Sequence, residues 1–172
     1  MKPSLKNGGL IWITGLSGSG KTTIAKELVK YYQNKAILID GDEVRKVLDL
    51  SSSGYDYKGR KQIAFMYARL CNLLSNQGFL VICATISMYD EVRQWNKDNN
   101  KYYCEIFLDI DEAERKKRDP KKLYANHQNN IINNMAGIDC EIELPKQSDI
   151  VITKFLNIKD SVRTITEYLC KD

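Results

Sequence analysis

At 172 residues the chain has the size of one domain and is long enough to bury a core without disulfides or a structural metal. Charged residues make up 28% and hydrophobic ones 43%, and no stretch approaches the ~20 consecutive apolar residues of a membrane span, so a soluble protein with no membrane partner is expected. The net charge of +4, with no basic run longer than Lys116 to Arg118, argues against a nucleic-acid polymer as partner and fits a small anionic one. The polar stretch 1–9 lacks an apolar signal core and points to the cytoplasm, and the 5 widely spaced cysteines, without a C-x-x-C pair, read as free thiols.

In chain order, the apolar run 10–15 (LIWITG) ends in glycine and reads as a strand, and 21–33 places Ile24, Leu28 and Tyr31 at helical spacing. A strand follows at 36–40, then helical patterns at 42–48 and 58–77, an apolar strand at 79–87 and a helix at 89–99. The strand 102–110, a charged helix 111–118, the strand 149–153 and a last helix 158–170 complete the alternation. Apolar strands alternating with helices predict an α/β fold in a single domain, a doubly wound parallel sheet covered on both faces. Residues 119–147 break the rhythm, being rich in Asn, Lys and Gln with little apolar periodicity. They read either as a solvated surface excursion or as a lid that closes over a ligand and excludes water.

Gly15-Leu16-Ser17-Gly18-Ser19-Gly20-Lys21-Thr22 satisfies G-x-x-x-x-G-K-[ST] between a predicted strand and a predicted helix, the context a phosphate-binding P-loop requires. The glycines let successive N–H groups and the helix N-terminus face phosphates, with Thr23 in the first turn beside them. Lys21 would neutralise the β- and γ-phosphates of ATP and the Thr22 hydroxyl would ligate Mg²⁺. Asp40-Gly41-Asp42 falls at the carboxyl end of the second strand, where ligands gather in open α/β sheets. Asp40 there can hold the metal or take a proton from an attacking hydroxyl, or the element can be a turn in which Asp42 caps a helix beginning at Glu43. Arg45 reads as a contact to an anionic substrate or as a surface arginine, and Ser87 as a ligand-facing or a turn residue at a strand end. A Ser/His/Asp hydrolase would have to use His127, the one histidine, which falls in the irregular segment with no nucleophile signature nearby.

Together these residues resemble the adenylylsulfate (APS) kinase family, which transfers the ATP γ-phosphate to the 3′-hydroxyl of a nucleotide. The resemblance spans nearly the whole chain through GLSGSGKTTIA at 15–25, DGDEVR at 40–45, ATIS-MY at 84–89, RDPKKLY at 118–124 and GID-C-E-I-E-L-P at 137–145. It implies ATP and Mg²⁺ as cosubstrates, a P-loop nucleotide-kinase fold, and a homodimer as its relatives commonly form. It assigns metal handling or catalysis to Asp40 and substrate contact to Arg45 beside Asp42. It carries Ser87 over as a phosphorylated residue of the family, although in-line transfer needs no such step. The RDPKKLY element implies that 119–147 is a lid and that Arg118 and Lys121 touch phosphates.

The departures from the family concentrate at 54–66. Arg60 matches, but Gly59 stands where the family has Asp, Ile63 where it has Asn, and Phe65 and Met66 where it has paired arginines. Met135 replaces the lid phenylalanine that sandwiches the acceptor base, opposite Tyr55. The ATP side thus resembles the family and the acceptor side does not, which points to a changed acceptor. A divergent branch similar to this chain, the cytidine diphosphoramidate kinases of capsule biosynthesis, suggests cytidine diphosphoramidate. Adenylylsulfate is the alternative, and a slowly hydrolysing ATP-binding regulatory switch a remote one.

Overall fold

The computed structural model describes residues 7–50, 56–118, 122–129, 135–155 and 157–170. Their elements are β1 (Gly9–Gly15), α1 (Lys21–Tyr31), β2 (Ile37–Asp40), α2 (Gly41–Val47), α3 (Tyr57–Asn76), β3 (Leu80–Thr85), α4 (Asp90–Asn99), β4 (Tyr103–Leu108), α5 (Glu112–Arg118), α6 (Leu123–Gln128), β5 (Ile150–Ile152) and α7 (Ile158–Cys170). The five strands pair in parallel in the order β2-β3-β1-β4-β5, so β1 lies at the centre with β3 and β4 as neighbours. Every residue of β1 and of β3 is buried, which explains why both read as unbroken apolar runs instead of alternating ones.

Successive side chains of a strand point to opposite faces, and the two faces form separate cores. Ile11 and Ile13 pack with Ile82, Ile106 and Leu108 under Ile24 and Leu28 of α1 and Ile165 of α7. Leu10 and Trp12 pack with Val81 and Cys83 under Ile63, Ala64, Tyr67 and Ala68 of α3 and Val92 of α4. No cysteine is in a disulfide, and four of the five are buried. Among the described residues no helix is long and apolar enough to cross a membrane.

Several boundaries are shorter than the sequence suggests. Helix α1 stops at Tyr31 because Gln33 and Asn34 take left-handed backbone (φ 55° and 57°) and the Asn34 N–H returns to the Val29 carbonyl. Strand β3 stops at Thr85, and the Ile86 carbonyl just beyond it accepts the Thr14 hydroxyl at 2.6 Å. The segment 119–147 is less irregular than its composition implies. It contains α6, and Tyr124, Met135, Ala136 and Cys140 are buried. Glu143 ties its far end down, accepting from the Tyr57 hydroxyl at 2.9 Å and from the Asp90 N–H, while its own carbonyl accepts from the buried Arg93 at 2.8 Å.

A buried carboxylate lies near Arg93, on the central part of the sheet. Glu105 of β4 lies in register with Trp12 and accepts from Ser148 at 2.6 Å and Tyr103 at 3.1 Å. Burial raises its pKa above the ordinary glutamate value, against the lowering effects of the Ser148 hydrogen bond and the Arg93 charge. The folded chain therefore binds that proton more tightly than the unfolded chain. The stability this supplies is present in acid and lost as pH rises through the raised pKa. Ionised Glu105 is then a net cost at neutral pH, and Glu105→Gln should be at least as stable as the parent at pH 7. Denaturation at a series of pH values should show its advantage shrinking toward about pH 4, the ordinary glutamate range; a glutamine variant clearly less stable at pH 7 would contradict this.

Candidate active site

The loop between β1 and α1 closes into a cradle because glycine occupies its tightest points. Gly18 has φ +80°, and a Cβ there would lie 2.9 Å from the Arg115 carbonyl. Gly20 (φ 95°) starts α1 without any side-chain cap, and the first turn of the helix carries no acidic residue. Uncapped N–H groups at a helix N-terminus form an anion site through both their donors and the helix dipole. The Lys21 ammonium lies at the same place, donating to the Leu16 carbonyl at 2.9 Å. Ser19 is 1% exposed and its Oγ has no hydrogen-bond partner. An orphaned hydroxyl, open amides and an ammonium around one concavity fit a polyphosphate. Leu16 and Ser17 are half-buried in the loop wall, and Thr23 is exposed in the first turn.

Asp40 joins this cradle to the next strand. One carboxylate oxygen accepts the Thr22 hydroxyl at 2.7 Å, and the other accepts the Asp42 N–H at 2.9 Å. The helix after β2 is therefore capped by Asp40 and begins at Gly41, which corrects the expectation of a cap at Asp42 and a start at Glu43. The correction follows from geometry: Asp40 has extended backbone (φ −92°, ψ 123°), as an N-cap residue should, whereas Asp42 is already inside the first turn. Asp42 is exposed. Gly41 is held from behind by the Tyr67 hydroxyl, which donates to its carbonyl at 2.8 Å. The hydroxyl–carboxylate pair of Thr22 and Asp40 supplies hard oxygen donors of the kind Mg²⁺ takes.

The other expected site residues make contacts of their own. Ser87 is 6% exposed, and its hydroxyl shares a 2.8 Å hydrogen bond with Thr85, itself against Gly41. Arg45 is half-buried and donates to the Leu50 carbonyl at 3.1 Å. Arg60, half-buried on α3, is close enough to Tyr89 and Cys140 to lower the pKa of both, although burial raises each of them overall. Met135 is buried, and its carbonyl takes the N–H groups of Ile138, Asp139 and Cys140. Tyr55 and Lys121 lie outside the described residues. His127 pairs with Asp139 at 3.1 Å within the 119–147 segment, so its one described acidic partner belongs to that segment and not to a serine nucleophile.

Two features escaped sequence reasoning. The Arg118 guanidinium stacks 3.3 Å above the Phe155 ring, and Phe155 also faces Gly20 at the start of α1. Phe155 comes just after the last strand with no motif around it. Glu143 belongs to the GID-C-E-I-E-L-P element, but only its contacts disclose that it fastens this segment to α3 and α4.

A glycine-rich loop after the central strand of a parallel sheet, with a lysine, a threonine and a strand-end aspartate around one cradle, defines a P-loop phosphotransferase. The family model for adenylylsulphate kinase matches residues 7–153. The chain is 38% identical over 165 residues to the cytidine diphosphoramidate kinase of Campylobacter jejuni, covering 93% of this chain and 95% of the relative. It is 36% identical over 166 residues to the adenylyl-sulfate kinase of Pseudomonas aeruginosa, covering 93% and 84%. The APS kinase of Mycobacterium tuberculosis, solved in complex with AMPPNP and APS, superposes with a TM-score of 0.86 at 29% identity, covering 95% of this chain and 98% of the other. This chain belongs to the adenylylsulphate kinase family.

The double engagement of Asp40 gives a test that separates capping from chemistry. Asn caps helices about as well as Asp, whereas Ala at an N-cap costs about 1 kcal/mol. Asp40→Asn should therefore keep near-parental stability while kcat falls by roughly a hundredfold or more, and Asp40→Ala should lose both. Thermal denaturation beside steady-state kinetics checks this, and an active Asp40→Asn variant would leave Asp40 a cap alone.

Proposed function

We propose that the chain transfers the γ-phosphate of ATP to the 3′-hydroxyl of a nucleotide with a modified 5′ anhydride tail, and that this acceptor is cytidine diphosphoramidate. The observation that carries the acceptor is the apolar face of α3. Ile63 is buried in the core with Trp12, Tyr67 and Tyr89, and Phe65 and Met66 pack against the same cluster. These are the positions where APS kinases resemble one another in Asn and paired Arg. None of the three side chains can donate a hydrogen bond, so a sulfate held beside them would lose its partners and its water together. The Campylobacter jejuni relative, named for cytidine diphosphoramidate, supports the same acceptor. Adenylylsulfate is the second reading, favoured by the similarity to the Pseudomonas aeruginosa enzyme.

In this reading catalysis is chiefly positioning and charge neutralisation, because phosphoryl transfer asks little covalent chemistry of the protein. The loop amides of Gly15 to Thr22 and the start of α1 hold the phosphates. Lys21 exchanges the Leu16 carbonyl for them, and its charge meets the charge that develops during transfer. Thr22 and Asp40 would hold Mg²⁺, which would supply positive charge to the phosphates. Arg118, expected at the phosphates, is stacked on Phe155 and in this reading offers the ATP base a flat cationic surface instead, a role that suits a stacked guanidinium. Arg45, Arg60 and Lys121 anchor the acceptor phosphates beside Asp42, and Tyr55 and Met135 flank its base, with 119–147 as the lid. Ser87 takes no covalent part, since its hydroxyl is buried against Thr85. A cytoplasmic homodimer belongs to the same reading.

Lys21→Ala should abolish transfer while leaving the fold intact; near-normal turnover in that variant would sink the P-loop assignment. For the acceptor, kcat/KM for cytidine diphosphoramidate should exceed that for adenylylsulfate by at least roughly tenfold, about 1.4 kcal/mol of transition-state binding. A coupled ATP-consumption assay with each acceptor and with none measures this. Equal values would overturn the acceptor, and consumption independent of either acceptor would favour the switch over the kinase.

A further inference from the structure

Behind the phosphate loop lies a buried cation. Arg115 of α5 is 8% exposed, and its Nε donates to the Ile110 carbonyl at 2.9 Å. Its Nη1 donates to the hydroxyl of Tyr124, the 4% exposed tyrosine of α6, whose ring lies 5.7 Å from the guanidinium carbon. That hydroxyl in turn donates to the Ser17 carbonyl at 3.1 Å. The Arg115 carbonyl fills the space that a Cβ of Gly18 would need, 2.9 Å away. One residue therefore braces two consecutive loop positions, Ser17 through Tyr124 and Gly18 directly.

The peptide joining Ser17 to Gly18 is planar and trans, so its carbonyl and its N–H point in opposite directions. Pulling the Ser17 carbonyl outward onto Tyr124 turns the Gly18 N–H toward the concave side of the loop. The guanidinium does not touch that side, but it holds the tyrosine hydroxyl that does the pulling. We infer that Arg115 and Tyr124 are positioning residues for the nucleotide: the chain Arg115 to Tyr124 to Ser17 sets the Ser17–Gly18 peptide of the phosphate loop in its anion-binding orientation. Tyr124 also belongs to the segment 119–147, so that orientation depends on the seating of α6 against the loop. The inference rests on the reading that Gly15 to Thr22 binds ATP phosphates, and it is independent of which acceptor is used.

Tyr124→Phe removes the one hydroxyl and keeps the ring. Calorimetric binding of AMPPNP with Mg²⁺ should weaken by about tenfold, the KM for ATP should rise in step, and kcat and the acceptor KM should each stay within about threefold, the pattern of a lost ground-state binding contribution. Arg115→Lys, which keeps the charge and a donor, should retain more AMPPNP affinity than Arg115→Met. In the Arg115→Met background, adding Tyr124→Phe should weaken binding by less than it does alone, because the pair acts in series. Unchanged AMPPNP affinity in Tyr124→Phe, with at most a lower melting temperature, would overturn the inference and leave the two residues as packing. A parent protein that fails to bind AMPPNP would overturn the underlying P-loop reading instead.

Discussion

Parallel pairing of β1 with both β3 and β4 decides where chemistry can happen in this molecule. Parallel strands cannot be joined by tight turns, so each must leave the sheet at its carboxyl end and return through a helix. Because β1 leads through α1 toward β2 on one side while β3 leads through α4 to β4 on the other, the chain diverges above the β1–β3 pair. The crevice there is bounded by Gly15 from β1, Asp40 from β2 and Ser87 beyond β3. Residues far apart in sequence meet because the topology sends every strand end to one edge.

At that edge the molecule leaves polar groups open on one side and satisfies them tightly on the other. The first turn of α1 has no cap and Ser19 has no partner, which in a buried position is costly unless a ligand completes the set. The groups at the ends of β2 and β3 are satisfied. Asp40 has a donor on each carboxylate oxygen, Thr85 and Ser87 share a hydrogen bond, and Tyr67 holds the Gly41 carbonyl. Such satisfied neighbours hold the open groups in place, so that binding phosphate need not spend energy on ordering the cradle.

The acceptor side follows a different economy. The stretch of α3 read above as the acceptor side is committed to the second core through Ile63, Phe65 and Met66. Among its cations, Arg60 neighbours Tyr89, Lys61 bridges to Glu91 of α4 at 2.6 Å, and Arg69 lies over the Phe65 ring at 5.6 Å. A core position occupied by isoleucine cannot be returned to polar service without leaving a buried group unpaired. The acceptor proposed above therefore rests on the packing of the domain as well as on its site.

Much of the phosphate end was legible in the sequence, because its instructions are local. The glycine spacing of 15–20, the lysine and threonine after it and the apolar run before it are all within one strand–turn–helix unit, and the buried strands announce themselves by unbroken hydrophobicity. The order of the strands, the capping of α2 by Asp40 instead of Asp42, and the helix inside 119–147 were not, since each depends on a partner distant in the chain or on backbone angles that composition does not encode. The same is true of Phe155 beneath Arg118, Glu143 between α3 and α4, and Arg115 behind Ser17 and Gly18. Arg115 shows the reason most plainly: within a charged stretch ending in Lys116, Lys117 and Arg118 it reads as one more solvated cation, and only the closing of α5 and α6 against the phosphate loop buries it. Sequence determined what could bind phosphate, and tertiary structure decided what holds the binder in shape, because positioning is a relation between segments and no segment carries it alone.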